Sequence, residues 1–319
     1  IYGGTWNLFA NTLKDQGIEV RFVDPSNPEN FRNASDKKTR AYFGETLPNP
    51  KLDIFPIEEI STIGREIGIP LILDNTAAPY ICKPFSHGAS IVIHSTTKFI
   101  GGQGSAIGGV IIDGGNFQWE SFKEQQPALN TPDPSYHGAI WSEAAKPLGP
   151  IAYILKARTT LLRDLGYAMS PFNAFQFIQG LETLSLRIEK QSKNAQKVAS
   201  FLDSHNKVSK VIYPTLKNDS KVRDKYFTKN LFGNLVGFHL KEGYEECKKF
   251  INNLQLFYHV ANIGDVRSLA IHPSSTTHSQ LSLEDQEKAG VFKDYIRLSI
   301  GIEHEDDIIL DIKNALESI

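Results

Sequence analysis

The run Ile91-Val92-Ile93, followed by His94-Ser95-Thr96-Thr97-Lys98-Phe99 and a glycine-rich turn, Gly101-Gly102-Gln103-Gly104, limits this chain more than any other stretch. Three β-branched apolar residues in a row show no polar alternation, the pattern of a strand buried on both faces in a parallel sheet covered by helices. A second run, Leu71-Ile72-Leu73, ends in Asp74-Asn75-Thr76, and a third, Val110-Ile111-Ile112, follows the glycines. In open α/β sheets ligands bind beyond the carboxyl ends of the strands, which is where Asp74 and Lys98 both fall.

The surrounding pattern agrees with such a sheet. Residues 18–23 read as a short strand ended by Asp24-Pro25, residues 26–40 as a polar surface helix, and residues 41–46 as another strand leading into Leu47-Pro48-Asn49-Pro50. Apolar residues at 57, 60, 63 and 67 keep a helical period, and Gly68 suits the left-handed residue that ends a helix. Strand, helix and strand in this order imply right-handed crossovers. Residues 114–138 read as one long irregular polar and aromatic stretch. Helices are expected over 151–165 and again from Ser170-Pro171, with apolar positions at Phe172, Phe175, Ile178 and Leu181. Residues 184–205 form a long amphipathic pattern with a basic outer face. Beyond Val208, short strands around 211–213, 235–240 and 295–300 alternate with helices at 244–254 and 305–319. The expected division is a mostly parallel large domain, 1–183, and a smaller α+β domain, 184–319.

Lys98 and Asp74 stand 24 residues apart at the ends of two separate strand runs, so they can face each other across a ligand. Pyridoxal phosphate (PLP) catalysis needs that pair: an amine to hold the cofactor covalently and a carboxylate opposite its pyridine nitrogen. Ser95 and Thr97 would add hydroxyl donors for a phosphate, and the glycines let backbone approach closely. Each residue also has a plainer reading, as a solvated loop lysine, a turn-capping aspartate and packing glycines. A dinucleotide motif is not met, because Ile107 stands where the third glycine belongs, and there is no P-loop.

Composition removes other classes. The formal net charge of −2 gives no basic excess for nucleic acid, and no run approaches the ~20 apolar residues of a membrane span. Two cysteines, Cys82 and Cys247, make no disulfide framework and favour a reducing, cytoplasmic setting. His272-Pro273 and Thr276-Thr277-His278 lack a third ligand at metal spacing, so no metal site is expected.

Asp74-Asn75-Thr76, His94 to Phe99 and the glycines after them resemble the Cys/Met-metabolism family of PLP enzymes, and the likeness runs through the whole chain. This family includes cystathionine γ-synthase, cystathionine lyases, methionine γ-lyase and O-acetylhomoserine sulfhydrylase. The resemblance implies a type I PLP-dependent transferase fold, aspartate aminotransferase-like. It implies that Lys98 carries PLP, that Asp74 meets the pyridine nitrogen, and that Thr76, Ser95 and Thr97 help hold the cofactor. Tyr2 of Tyr2-Gly3-Gly4 would stack on the ring and assist proton transfer, and Asn49 would lie beside the cofactor's phenolic oxygen and the substrate. Arg297, opening Arg-Leu-Ser-Ile-Gly-Ile-Glu, would hold the substrate carboxylate through a bidentate fork, with Asn262 lining the same pocket.

The long stretch 114–138 is similar to the insertion of the sulfhydrylases, and Asn262 stands where lyases commonly have serine. The implied reaction is replacement at Cγ: O-acetyl-L-homoserine with sulfide or methanethiol gives homocysteine or methionine and acetate. A γ-lyase or γ-synthase on the same scaffold is the nearer alternative, and a nucleotide-binding α/β protein without PLP the further one. The resemblance also implies a homo-oligomer, a dimer of dimers, with a preceding amino-terminal segment completing the site.

Overall fold

The computed structural model describes residues 1–216, 220–279, 284, 286 and 290–319. Two sheets organise it. The first holds β1 (Tyr42–Glu45), β2 (Leu71–Asp74), β3 (Ile91–Ser95) and β4 (Gly109–Asp113) in that order. β1, β2 and β3 run parallel, and β4 returns antiparallel to β3. The second is built from β5 (Val208–Ile212), β6 (Leu235–Leu240), β9 (Tyr295–Ser299), β8 (Leu269–Ile271) and β7 (Tyr258–His259), in that spatial order. Here only β7 and β8 pair in parallel.

The expected helix after β1 spans Ile57–Ile67 and buries Ile57, Ile60 and Ile63 against the first sheet's core. It stops at Gly68, whose φ of 79° lies in the left-handed region that glycine tolerates without a Cβ penalty. The chain then turns directly into β2, whose last residue is Asp74.

Three expectations are corrected. Residues 18–23 pair with no strand among the described residues; Ile18 and Phe22 lie exposed, because an alternating segment forms a strand only where a partner edge accepts it. The 26–40 helix shrinks to Glu29–Asn33, the remainder being held by turns such as the one at Asp36, whose carboxylate accepts from the Lys38 amide. Residues 114–138 are not an open loop. They fold into the short helical turns Trp119–Ser121, Pro127–Asn130 and Pro134–Tyr136, and Phe117, Trp119 and Leu129 bury themselves with Trp141 and Ile91.

The Val110-Ile111-Ile112 run does form β4, yet these side chains stay 36–47% exposed on the outer strand of the sheet. Helix Pro171–Glu182 likewise leaves Phe172, Phe175, Ile178 and Leu181 more than half exposed, as an apolar stripe.

The helix Leu184–Asp203 ties the two sheets together. Ile188 joins the first core, whereas Ala195, Val198, Ala199 and Leu202 belong to the second. Gly180, at the end of the preceding helix, sits against the loop that follows Lys98, where a Cβ would run into the Ile100 carbonyl oxygen. Gly180→Ala is therefore expected to cost roughly 1–3 kcal/mol through overpacking. A denaturant midpoint indistinguishable from the parent protein would show that this contact yields freely.

Candidate active site

Every predicted site residue of the first sheet falls at the carboxyl ends of β1 to β3. Asp74 closes β2, and its carboxylate accepts the Thr76 amide at 2.8 Å. The Thr76 hydroxyl accepts the Ser95 amide at 2.8 Å, so Thr76 fastens the end of β2 to the end of β3. Three residues beyond β3, the Lys98 amide donates to the Ser95 carbonyl in a tight turn. The Lys98 side chain leaves that turn and donates through Nζ to Asn262 Oδ1 at 2.5 Å.

Asn262 comes from the second sheet's side of the molecule, and its backbone carbonyl accepts Arg297 Nη2 at 2.8 Å. Arg297 occupies the middle of β9, flanked by Gly237 of β6 and Ile271 of β8. It is 3% exposed, and its Nε has no hydrogen-bond partner among the described residues. A buried guanidinium with an idle donor is costly unless an anion completes it. Burial pushes the group down to about 10. The Lys98 amine is also held below its usual value, first by burial and then by the Arg297 charge, which favours the neutral nucleophile.

Burial raises Asp74, which has no salt-bridge partner among the described residues. A cation opposite this carboxylate would lower the cost of keeping it ionised. The Thr97 hydroxyl donates to Gly108 O at 3.2 Å and accepts Gly108 N at 3.0 Å, so it braces the glycine turn. The Ser95 hydroxyl makes no hydrogen bond to a described residue and stays available to an acceptor on a ligand. Asn49 lies half-buried in the loop that leaves β1; three residues before it, Thr46 N donates to Asp74 O at 3.0 Å and ties the start of that loop to β2. Tyr2, half exposed, reaches the same sheet end through its backbone amide, which donates to Glu45 Oε1 at 2.6 Å. His272 has both ring nitrogens engaged, one with Ser275 Oγ and the other with Lys293 O, and is not poised as a ligand.

Two further residues shape the site without having been singled out in the sequence. Glu45, on β1, stands in register with Asp74. Arg187 donates to the carbonyls of Phe99 (2.7 Å), Ile100 (3.1 Å) and Gly180 (2.7 Å), clamping the loop behind Lys98. The available signal was an arginine on the face that carries Leu184, Ile188, Gln191 and Ala195, where a charged side chain is unusual.

The sequence profile described as "Cys/Met metabolism PLP-dependent enzyme" matches residues 1–317. The chain belongs to that family and is a PLP-dependent enzyme. Among its relatives, an O-acetyl-L-homoserine sulfhydrylase of Leptospira meyeri is 53% identical over 327 aligned residues, covering all of this chain and 74% of that protein. A homocysteine synthase of Schizosaccharomyces pombe is 43% identical, over 99% of this chain and 74% of its own length. The fold matches a structure described as an O-acetylhomoserine (thiol)-lyase from Campylobacter jejuni, which carries N'-pyridoxyl-lysine-5'-monophosphate. That match has a TM-score of 0.93 and 45% identity, covering all of this chain and 75% of the other. MetB from Corynebacterium glutamicum gives a TM-score of 0.79 at 31% identity, over 99% of this chain and 72% of that one. The residues present suit PLP: a Ser95 hydroxyl without a hydrogen-bond partner among the described residues, a part-buried Asp74 carboxylate without an ion-pair partner among them, and an amine of lowered basicity at Lys98.

Proposed function

We propose that this chain replaces the acetoxy group on Cγ of O-acetyl-L-homoserine with sulfide, or with a thiol such as methanethiol, releasing acetate and L-homocysteine or methionine. The observation that carries the reading is the meeting at Asn262, where the Lys98 amine and the Arg297 guanidinium converge from different sheets. That spacing suits an α-amino acid, whose carboxylate would take the idle Arg297 donor while its Cα faces Lys98 Nζ.

Bound PLP supplies an electron sink that acidifies the hydrogens at Cα and Cβ and allows departure from Cγ. Lys98 would hold the cofactor and then, once freed, take the Cα proton on Nζ, a task suited to an amine held neutral. Asp74 would stay ionised against the protonated pyridine nitrogen. Thr76 keeps the β2 and β3 ends in register, and Ser95 would bind the phosphate. Asn49 and Asn262 would orient the substrate, and Tyr2 would cover the ring face.

The separate cores also support a domain division at the start of the helix Leu184–Asp203, with one sheet on each side. The apolar stripe at Phe172, Phe175, Ile178 and Leu181 supports assembly with further copies of the chain, since exposed patches of this kind mark interaction surfaces. No described helix is long and apolar enough to cross a membrane. Cys82 and Cys247 are both free and buried, which suits a cytoplasmic setting.

The deciding experiment is a substrate panel. With O-acetyl-L-homoserine and sulfide the expected product is homocysteine. Faster formation of cystathionine from cysteine, or elimination from methionine alone, would reassign the chain to γ-synthase or γ-lyase chemistry.

A further inference from the structure

We infer that Glu45 is a positioning residue that acts through Tyr2, fixing where the tyrosine ring stands relative to Asp74; the inference rests on the PLP reading above. Its basis is a chain of contacts. β1 and β2 are parallel, with Glu45 opposite Asp74, so the two side chains leave the same face about 5 Å apart at the backbone. Glu45 is 8% exposed, and the Tyr2 amide is the hydrogen-bond donor that its carboxylate meets, at 2.6 Å. The other side of Tyr2 is held as well: its carbonyl accepts the Trp6 amide at 2.9 Å, opening the helix Gly3–Asn7.

One edge of the ring lies over the start of the helix, where a Cβ on Gly4 would come within 2.8 Å of it, while the residue stays half exposed. The orientation of Tyr2 is thus set by one acceptor on the sheet and one missing side chain on the helix. Placing a second carboxylate beside Asp74 is unfavourable by itself, because both are desolvated and like-charged. Its hydrogen-bonded return is the hold on Tyr2. Burial pushes Glu45 up to about 7, in keeping with that unfavourable placement.

The test is a double-mutant cycle on the holoenzyme with PLP as the probe. Dissociation constants for PLP and the visible circular dichroism of the bound cofactor are measured in the parent, Glu45→Leu, Tyr2→Ala and the double variant. Glu45→Leu removes the acceptor and the buried charge while keeping the volume. It is expected to weaken PLP about tenfold and to diminish the dichroism, the scale of losing a hydrogen bond to a charged group. With Tyr2→Ala already present, the same change should weaken PLP less than about twofold, since the coupling runs through the ring. Glu45→Gln, which retains an acceptor, should restore most of the affinity. Equal losses in both backgrounds, or no loss in either, overturn the inference while leaving the PLP reading intact. Should the parent protein show no PLP absorbance at all, both fall. If Glu45→Leu does not fold, the same cycle with Glu45→Ala decides on the same terms.

Discussion

Lys98→Ala is expected to reduce turnover to background and to abolish the visible absorbance of PLP held through lysine, in a protein that still folds. The side chain is partly buried, and its one hydrogen-bond partner among the described residues is Asn262, so truncation removes little packing. The chemistry loses more. Covalent attachment and the base at Cα both vanish, and acid–base assistance alone contributes on the order of 10²–10⁴ in rate. Borohydride reduction of the parent should fix the label on a peptide containing Lys98. A labelled peptide elsewhere, or a variant that keeps its colour and rate, would remove the basis of the assignment.

The second large effect concerns Asp74. Asp74→Asn retains size and shape, and the Thr76 amide still finds an oxygen, so the β2 end should hold its form. What disappears is the negative charge proposed above to face the pyridine nitrogen. Loss of a preorganised electrostatic partner costs on the order of 10²–10³ in kcat. PLP should still bind, with kcat falling far more than KM rises. Undiminished turnover in Asp74→Asn would show that this carboxylate is an ordinary strand end.

Much of this arrangement is legible in the sequence because it depends on local pattern. Uninterrupted apolar runs define β2 and β3, and the residues immediately after them are the ones that face a ligand. The period of 57, 60, 63 and 67 gives the crossover helix, and Gly68 its end. Residues 18–23 show the limit, since their alternation is sound but no neighbouring edge is offered. The packing of Phe117, Trp119 and Trp141 was equally hidden, because aromatic residues among polar ones carry no period until a tertiary surface collects them. β7 and β8 are two and three residues long, too short for any pattern to stand out.

At the site, Lys98, Asp74 and Arg297 could be named from their surroundings in the chain. The convergence of Lys98 and Arg297 on Asn262 could not, since Lys98 and Asn262 are 164 positions apart. Glu45 was hidden for a different reason. A glutamate closing a short strand looks like a solvated end, and only the register with Asp74 reveals that it is enclosed. The contact of the Thr97 hydroxyl with Gly108, eleven positions on, was likewise beyond the reach of local pattern.

Asn262 reaches Lys98 through its side chain but Arg297 through its main-chain oxygen. The two duties are therefore separable by mutation. Any residue that keeps the local backbone can replace the amide and retune the lysine, while the grip on the guanidinium carries over unchanged. One position thus offers a dial for the lysine's reactivity that leaves the main-chain hold on the guanidinium in place.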